Sequence, residues 1–196
     1  MAETAAPVVA LTIDDGPDPR TTPRLLALLE RHGARATFFL IAGRVPGREE
    51  VVRAIVRGGH EVGNHLTRDE ASIRLSAAAF EASLREAHDA LAPFAPLRWA
   101  RPGSGWYTAE MVAAMRRHGY RCALGSVYPF DPHHPWAAAS ARFILRVVHP
   151  GAIIVLHDGG VRGERTARVL ERVLPELERR RYAVVTLTEL FEARQS

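Results

Sequence analysis

The sequence contains no lysine, so all 26 of its Lys+Arg positions are arginine. These arginines, and the formal net charge of +4, are spread along the chain and do not gather in one basic run. Nucleic-acid-binding proteins concentrate their positive charge on a patch or stripe, which this sequence lacks. We therefore expect no nucleic-acid partner and attribute the all-arginine composition to codon bias.

Cysteine and long apolar runs are scarce as well. Cys122 is the single cysteine, so no disulfide can form within the chain. Cysteine usage therefore does not indicate whether the protein works in an oxidising or a reducing compartment. No stretch approaches the roughly 18 apolar residues of a membrane span, and residues 1–7 lack the charged and apolar regions of a signal peptide. We expect no membrane association and a cytoplasmic chain as written. A secreted protein whose export signal had been removed would show the same pattern.

The sequence is rich in alternating strand-like and helix-like segments. Its 196 residues, 47% of them hydrophobic, predict a single domain over residues 1–196. Apolar runs predict seven strands, at residues 8–13, 36–41, 60–63, 97–100, 121–127, 152–156 and 183–187. Helices are predicted between and after them, at residues 22–32, 48–57, 76–91, 108–118, 136–148, 164–181 and 188–193.

This alternation predicts a parallel sheet covered by helices, either closed as a barrel or left open. Polar residues that follow five different predicted strands distinguish the two. They are Asp14 and Asp15, His65, Arg101, Asp131 and His157. A barrel gathers such residues at one face, whereas an open sheet spreads them. The sequence therefore favours a barrel.

Two adjacent carboxylates end the first predicted strand. Asp14 and Asp15 follow an apolar run and precede Gly16-Pro17, which marks a turn. Two like charges at this point repel each other, and Thr21 and Thr22 already supply a start for the next helix. We interpret the pair as functional.

This pair lies in Thr12-Ile13-Asp14-Asp15-Gly16-Pro17, which resembles the first motif of the polysaccharide deacetylases, carbohydrate esterase family four, with the NodB homology domain. Segments 59–65, 101–105, 127–132 and 154–158 resemble the later motifs in the same order. Five motifs in order are a far more specific signal than one. The resemblance implies a distorted (β/α)7, TIM-barrel-like fold and hydrolysis of an N-acetyl or O-acetyl group with a divalent metal ion.

The resemblance implies a metal site made of Asp15 and His65, with Asp69 as the third ligand. The family carries a second histidine where this chain has Asp69. Because a carboxylate also binds zinc, cobalt and manganese, we expect zinc first, with cobalt, manganese or magnesium as alternatives. The harder ligand should weaken the preference for zinc and help manganese or magnesium. The alternatives are that Asp69 begins a helix and no metal binds, or that Glu70 or the pair His133-His134 supplies the missing ligand.

The remaining motifs imply the catalytic residues. By the resemblance, Arg101 orients Asp14, the backbone N–H of Ser104 helps to hold the oxyanion, and Asp131 contacts His157. Acyl hydrolysis needs an activated water, a polariser of the carbonyl, a base and an acid. Asp14 would be the base and His157 the acid, which Asp131 keeps protonated near neutral pH.

The third and fourth motifs depart from the family pattern. Gly103 and Ser104 stand where the family has proline and an aromatic residue, and Trp106 or Trp136 could replace the missing aromatic wall.

Three functions are consistent with the motifs of this sequence. The first is a metal-dependent hydrolase that removes acetyl groups from N-acetylated or O-acetylated sugars or oligosaccharides. The second is a hydrolase of another small linear amide, and the third is a catalytically inactive glycan-binding barrel. The sequence does not indicate an oligomeric state.

Overall fold

Parallel strands and helices alternate throughout the computed structural model, which describes residues 7–131 and 136–193. Within these residues the strands are β1 Val8–Asp14, β2 Ala36–Leu40, β3 Glu61–Asn64, β4 Trp99–Ala100, β5 Arg121–Cys122, β6 Ile153–His157 and β7 Ala183–Val185. The α-helices are α1 Thr21–Arg31, α2 Glu49–Arg57, α3 Ala77–Leu91, α4 Ala109–Arg117, α5 Ala137–Val147, α6 Gly160–Arg179 and α7 Leu187–Glu192. Short 3-10 turns lie at Ala42–Arg44, Ser72–Arg74 and Gly103–Gly105.

The strands form one parallel sheet that curls into a distorted barrel. Their order is β5-β4-β3-β2-β1-β6, and β7 pairs with the first half of β1. A parallel bridge between Val127 and Ile154 joins the segment after β5 to β6, which links the two ends of the sheet. The prediction of a (β/α)7, TIM-barrel-like fold is confirmed.

The first strand lies at the centre of this sheet. From Val9 to Asp14 its residues are buried, because β2 and β7 flank one edge, β6 flanks the other, and the main apolar core packs around it. A continuous β-branched and apolar run is what such a doubly covered parallel strand requires. The carboxyl end of β1, with Asp14 and Asp15, is thereby placed in the middle of the barrel mouth.

The start of α1 differs from the prediction. Asp18 Oδ1 accepts hydrogen bonds from the N–H groups of Arg20 and Thr21, at 2.9 and 3.0 Å. The hydroxyls of Thr21 and Thr22 donate instead to the carboxylate of Asp158, which is fully buried after β6. Thr21 does begin α1, close to the predicted residue 22, but neither threonine side chain caps the helix, because both hydroxyls satisfy the buried Asp158 carboxylate.

The last long helix, α6, begins at Gly160 and not at the predicted residue 164. Gly159 and Gly160 have φ values of 88° and 50°, which glycine adopts readily. At Gly163 a Cβ would lie 2.4 Å from the hydroxyl oxygen of Thr21, so glycine lets α6 pack directly on α1. The early start puts Arg162 into the first turn of α6, above the end of β1. In the described part of the chain, none of the helices combines the length and apolar character needed to cross a membrane.

Candidate active site

A cleft of about 810 Å³ opens at the carboxyl ends of the strands. Seven of the eight predicted site residues line it: Asp14, Asp15, His65, Asp69, Arg101, Ser104 and His157. The eighth, Asp131, is completely buried and bonded to His157. Because parallel barrel strands all end at the same face, residues far apart in sequence meet there.

Unusual backbone conformations also cluster at this cleft. In the described residues, five non-glycine positions have positive φ. Asp15 (73°), Ser104 (62°) and Phe130 (56°) line the cleft, and Leu66 (62°) directly follows His65. Left-handed backbone is costly for residues with a Cβ and is found where the surrounding structure enforces it for function. The clustering therefore marks the cleft independently of its side chains.

Asp14 forms a buried ion pair with Arg101. Arg101 Nη1 lies 2.6 Å from Asp14 Oδ1 and also donates to the Thr12 hydroxyl at 2.8 Å, while Nε donates to the carbonyl of Ala123 at 2.9 Å. The guanidinium stacks over the Phe39 ring, with its carbon 4.2 Å from the ring centroid. These contacts hold Arg101 in one position, and Arg101 in turn orients the Asp14 carboxylate.

His65 is held so that one ring nitrogen faces the carboxylate pair. Its Nδ1 donates to the carbonyl of Arg101 at 2.8 Å, so in the neutral ring Nε2 carries the free lone pair. That Nε2 lies 3.5 Å from Asp15 Oδ1 and 3.9 Å from Asp14 Oδ2. A backbone carbonyl behind a histidine is the usual support of a metal-ligating imidazole.

The pKa values of Asp15 and His65 move in opposite directions. Burial would raise the pKa of Asp15, but hydrogen bonding and charge from His65, and the charges of His157 and Arg162, lower it well below its usual range. Burial would lower the pKa of His65, but Asp14, Asp15 and the Arg101 carbonyl raise it. Asp15 is therefore ionised at neutral pH, and a metal ion that binds here requires His65 in its neutral form.

The side chain of Arg162 forms ion pairs with both Asp69 and Asp15. Arg162 Nη1 lies 2.5 Å from Asp15 Oδ2 and 3.3 Å from Asp69 Oδ2. Arg44 Nη2 lies 3.0 Å from the same Asp69 oxygen, and Arg44 Nη1 donates to the carbonyl of Asp15. Both carboxylates thus face one positive group at the mouth of the cleft.

The side chains of Asp15 and His65 are suitable ligands for a divalent ion, but within the described part of the chain a third ligand does not converge on the same point. Among the described residues, no three His, Cys, Asp or Glu side chains converge on one point. Asp15 and His65 do converge, and they offer an ionised oxygen and a supported imidazole nitrogen, which are ligand types of zinc and similar metals. Asp69 faces the same region from the rim, so its role as the third ligand stays a prediction. Glu70 lines the cleft, while His133 and His134 lie outside the described residues.

His157 is supported by Asp131. Its Nδ1 lies 3.0 Å from both carboxylate oxygens, and its backbone N–H donates to Asp131 Oδ2 at 3.1 Å. Burial would lower the pKa of His157, but Asp131, followed by Asp14 and Asp15, raises it. The charged form of the ring is therefore favoured, and Nε2 is left as the nitrogen that can serve a substrate.

Aromatic side chains line the open part of the cleft. Trp106 is 70% exposed and Phe130 is 58% exposed, and both belong to the cleft lining. Of the two predicted tryptophans, Trp106 lines the cleft, whereas Trp136 is not among the described residues that line it. Burial, together with Asp131, Asp14 and Asp15, raises the pKa of Tyr128 to about 12, so its hydroxyl stays protonated beside the His157 ring.

The structure gives a reason for glycine in the third motif. At Gly103 a Cβ would lie 2.1 Å from the carbonyl oxygen of Glu70, so any side chain would push the two loops apart. The N–H of Gly103 also donates to the hydroxyl of Ser72 at 2.7 Å. The glycine thus lets the loop that carries Ser104 pack against the loop that carries Asp69.

Sequence reasoning missed three arginines at the site. Arg162 and Arg44 bind the carboxylates of the cleft mouth, and Arg165 donates to the backbone carbonyl of Asp131. In a chain whose basic residues are all arginine, none of these positions stands out. The early start of α6 is the feature that brings Arg162 and Arg165 to the site, and the predicted start at residue 164 left Arg162 in a loop.

Comparison with known proteins agrees with these motifs. The model of the polysaccharide deacetylase family matches residues 2–123, more than half of the chain. The chain belongs to the polysaccharide deacetylase family. A peptidoglycan-N-acetylglucosamine deacetylase from Bacillus cereus is 32% identical over 187 residues, which cover 93% of this chain and 87% of the relative. A chitooligosaccharide deacetylase from Bradyrhizobium sp. is 33% identical over 196 residues, covering 93% and 90%.

The solved structure of peptidoglycan deacetylase PdaC from Bacillus subtilis has the same fold. It superimposes with a TM-score of 0.90 at 26% identity and covers 97% of this chain and 93% of that one. Family membership confirms the resemblance drawn from the motifs. It also confirms the prediction of a deacetylase-type hydrolase that acts on carbon–nitrogen bonds other than peptide bonds.

Proposed function

We propose that this protein removes N-acetyl groups from N-acetylglucosamine units of peptidoglycan or chitin-like oligosaccharides, with the help of a divalent metal ion. One observation carries the proposal. Asp14, oriented by Arg101, and His157, oriented by Asp131, are register partners on the adjacent strands β1 and β6. The side chains that we propose as base and acid thus lie side by side in the cleft where Asp15 and His65 converge.

Asp15 and His65 would hold the ion, and Asp69 would join them from the rim of the cleft. When bound, the ion lowers the pKa of a water molecule and polarises the acetyl carbonyl. Zinc suits the Asp15 and His65 pair, and the second carboxylate makes manganese, cobalt and magnesium competent alternatives. The ionised state of Asp15 and the fixed orientation of His65 favour binding of such a cation.

Asp14 and His157 carry out the two proton transfers of the proposed reaction. Asp14 accepts the proton of the attacking water, and the Arg101 guanidinium at 2.6 Å holds this carboxylate in a fixed orientation. His157 donates a proton to the leaving amine, because Asp131 favours the charged form of its ring. The backbone N–H of Ser104, on the cleft wall, would donate to the acetyl oxygen as negative charge develops there.

The shape of the cleft favours a carbohydrate over a small amide. Trp106 and Phe130 present exposed aromatic surfaces beside the proposed reaction centre, and sugar rings stack on such faces. A small linear amide would leave both rings without a role. A purely glycan-binding barrel would have no need for the buried Asp14–Arg101 pair, which is costly to keep in a binding protein.

The test is acetate release from N-acetylglucosamine oligomers by the metal-loaded protein. We expect release of acetate, and the mass spectrum should show oligomers that have lost acetyl groups. Turnover should be lost when a chelator removes the metal. Asp14→Asn should reduce the rate by more than about 100-fold, the usual effect of removing a general base. Cleavage of acetyl esters or small amides without any N-acetyl glycan turnover would contradict the substrate assignment. Oligomer binding without hydrolysis would indicate an inactive barrel.

A further inference from the structure

Two arginines and two aspartates form an ion-pair network at the mouth of the cleft, which we call the mouth network: Arg44, Arg162, Asp15 and Asp69. Arg162 Nη1 bridges the two carboxylates, at 2.5 Å from Asp15 and 3.3 Å from Asp69. Arg44 binds Asp69 at 3.0 Å and the backbone carbonyl of Asp15. The shortest ion pair in the network therefore joins the proposed metal ligand Asp15 to Arg162.

The members of this pair differ sharply in burial. The Asp15 side chain is 5% exposed, whereas that of Arg162 is 41% exposed. A buried, ionised carboxylate is costly without a counter-charge. Arg162 supplies that charge from the solvent side, and its exposed side chain can leave without disturbing the core. The backbone beneath it is well anchored, because Gly163 packs against Thr21.

We propose that the Arg162 guanidinium is an internal cation that competes with the divalent metal ion for Asp15 and Asp69. This inference rests on the proposed function, since it requires an ion at Asp15 and His65. A divalent ion bound to Asp15 would lie beside the guanidinium, and two positive groups on one carboxylate repel each other. Metal binding therefore displaces Arg162 from Asp15, while Arg44 stays on Asp69 and on the Asp15 carbonyl.

The competition has two consequences. The metal-free protein keeps its buried carboxylate neutralised, so the barrel mouth stays folded without an ion. Metal affinity is lowered by the free energy needed to break the Arg162–Asp15 pair. Removal of the guanidinium should therefore tighten metal binding and, at the same time, destabilise the metal-free form.

The test is calorimetric titration of the metal-free protein with zinc and with manganese. We expect Arg162→Gln to bind metal about 5- to 50-fold more tightly than the parent, in the range of typical coupling effects. Arg168→Gln is the matched control. Arg168 is an exposed arginine on the same helix whose side chain makes no hydrogen bond or ion pair with the described residues, so its replacement should leave affinity unchanged.

Thermal unfolding gives a second readout that does not depend on turnover. Arg162→Gln should unfold at a lower temperature than the parent without metal, and the difference should close at saturating metal. Equal or weaker metal binding by Arg162→Gln would overturn the competition while leaving the metal site in place. Absence of binding in the parent and in both variants would overturn the metal site of the proposed function, and the competition with it.

Discussion

Asp15→Asn is expected to abolish binding of a divalent metal ion, whereas Asp14→Asn is expected to keep the metal and lose turnover by more than about 100-fold. The reason lies in their partners. Asp15 faces His65 Nε2 at 3.5 Å, whereas Asp14 is bound by Arg101 at 2.6 Å, which makes it a poor ligand and a well-positioned base. Metal content and acetate release are measured on the same preparations.

Asp18→Asn is the control for this pair. Asp18 lies in the same β1–α1 connection and bonds the N–H groups at the start of α1, so its loss perturbs the loop without removing a proposed site residue. We expect this variant to retain both metal and turnover. Metal binding equal to that of the parent in Asp14→Asn and Asp15→Asn alike would show that Asp15 is not a ligand.

His157→Ala should separate substrates by their leaving groups. The variant is expected to bind metal normally and to lose hydrolysis of N-acetylglucosamine oligomers by about 100-fold or more, as expected for loss of a general acid. An activated aryl acetate releases a stable anion that needs no proton, so its hydrolysis should fall much less. The measurement is kcat/KM for both substrates with the parent and the variant.

The pH dependence provides the control for this role. His157 acts in its protonated form. Burial would lower its pKa, but its neighbours, Asp131 above all, raise it. Turnover of the parent on the amide should therefore persist above the ordinary histidine pKa and fall as the pH rises through the raised value. Asp131→Asn removes the charge and should move this fall to lower pH. Equal losses on both substrates, with an unchanged pH profile in Asp131→Asn, would exclude the general-acid role.

Much of the fold could be predicted because the sequence pattern is local. The buried run that ends at Asp14 reads as a strand, and Ser76 and Thr108 cap α3 and α4 as the predicted helix starts require. The predicted strand 121–127 was too long. At Gly125 a Cβ would lie 2.2 Å from Val155 Cγ2, so the segment runs tightly over β6 and pairs again only at Val127. Such a crossing depends on contacts distant in sequence.

The candidate site also has a part that the sequence predicts and a part that depends on tertiary contacts. Residues at strand ends, such as His65, Arg101 and His157, were predictable because the ends of parallel strands share one face. The partners of Asp69 were not, since they depend on where α6 starts and on how two loops pack through Gly103. The mouth network is therefore a product of tertiary structure, and no motif in the sequence marks it.

The position of the bound ion is the most direct test of the proposed mechanism, which requires a divalent ion on Asp15 and His65 beside Asp14 and His157. Anomalous diffraction from crystals grown with cobalt would locate it. We predict one strong peak within coordination distance of an Asp15 carboxylate oxygen and His65 Nε2, with Arg162 moved away from Asp15. A peak that contacts neither residue would contradict this mechanism, whereas an Asp15 still paired with Arg162 in fully loaded protein would contradict only the proposed competition.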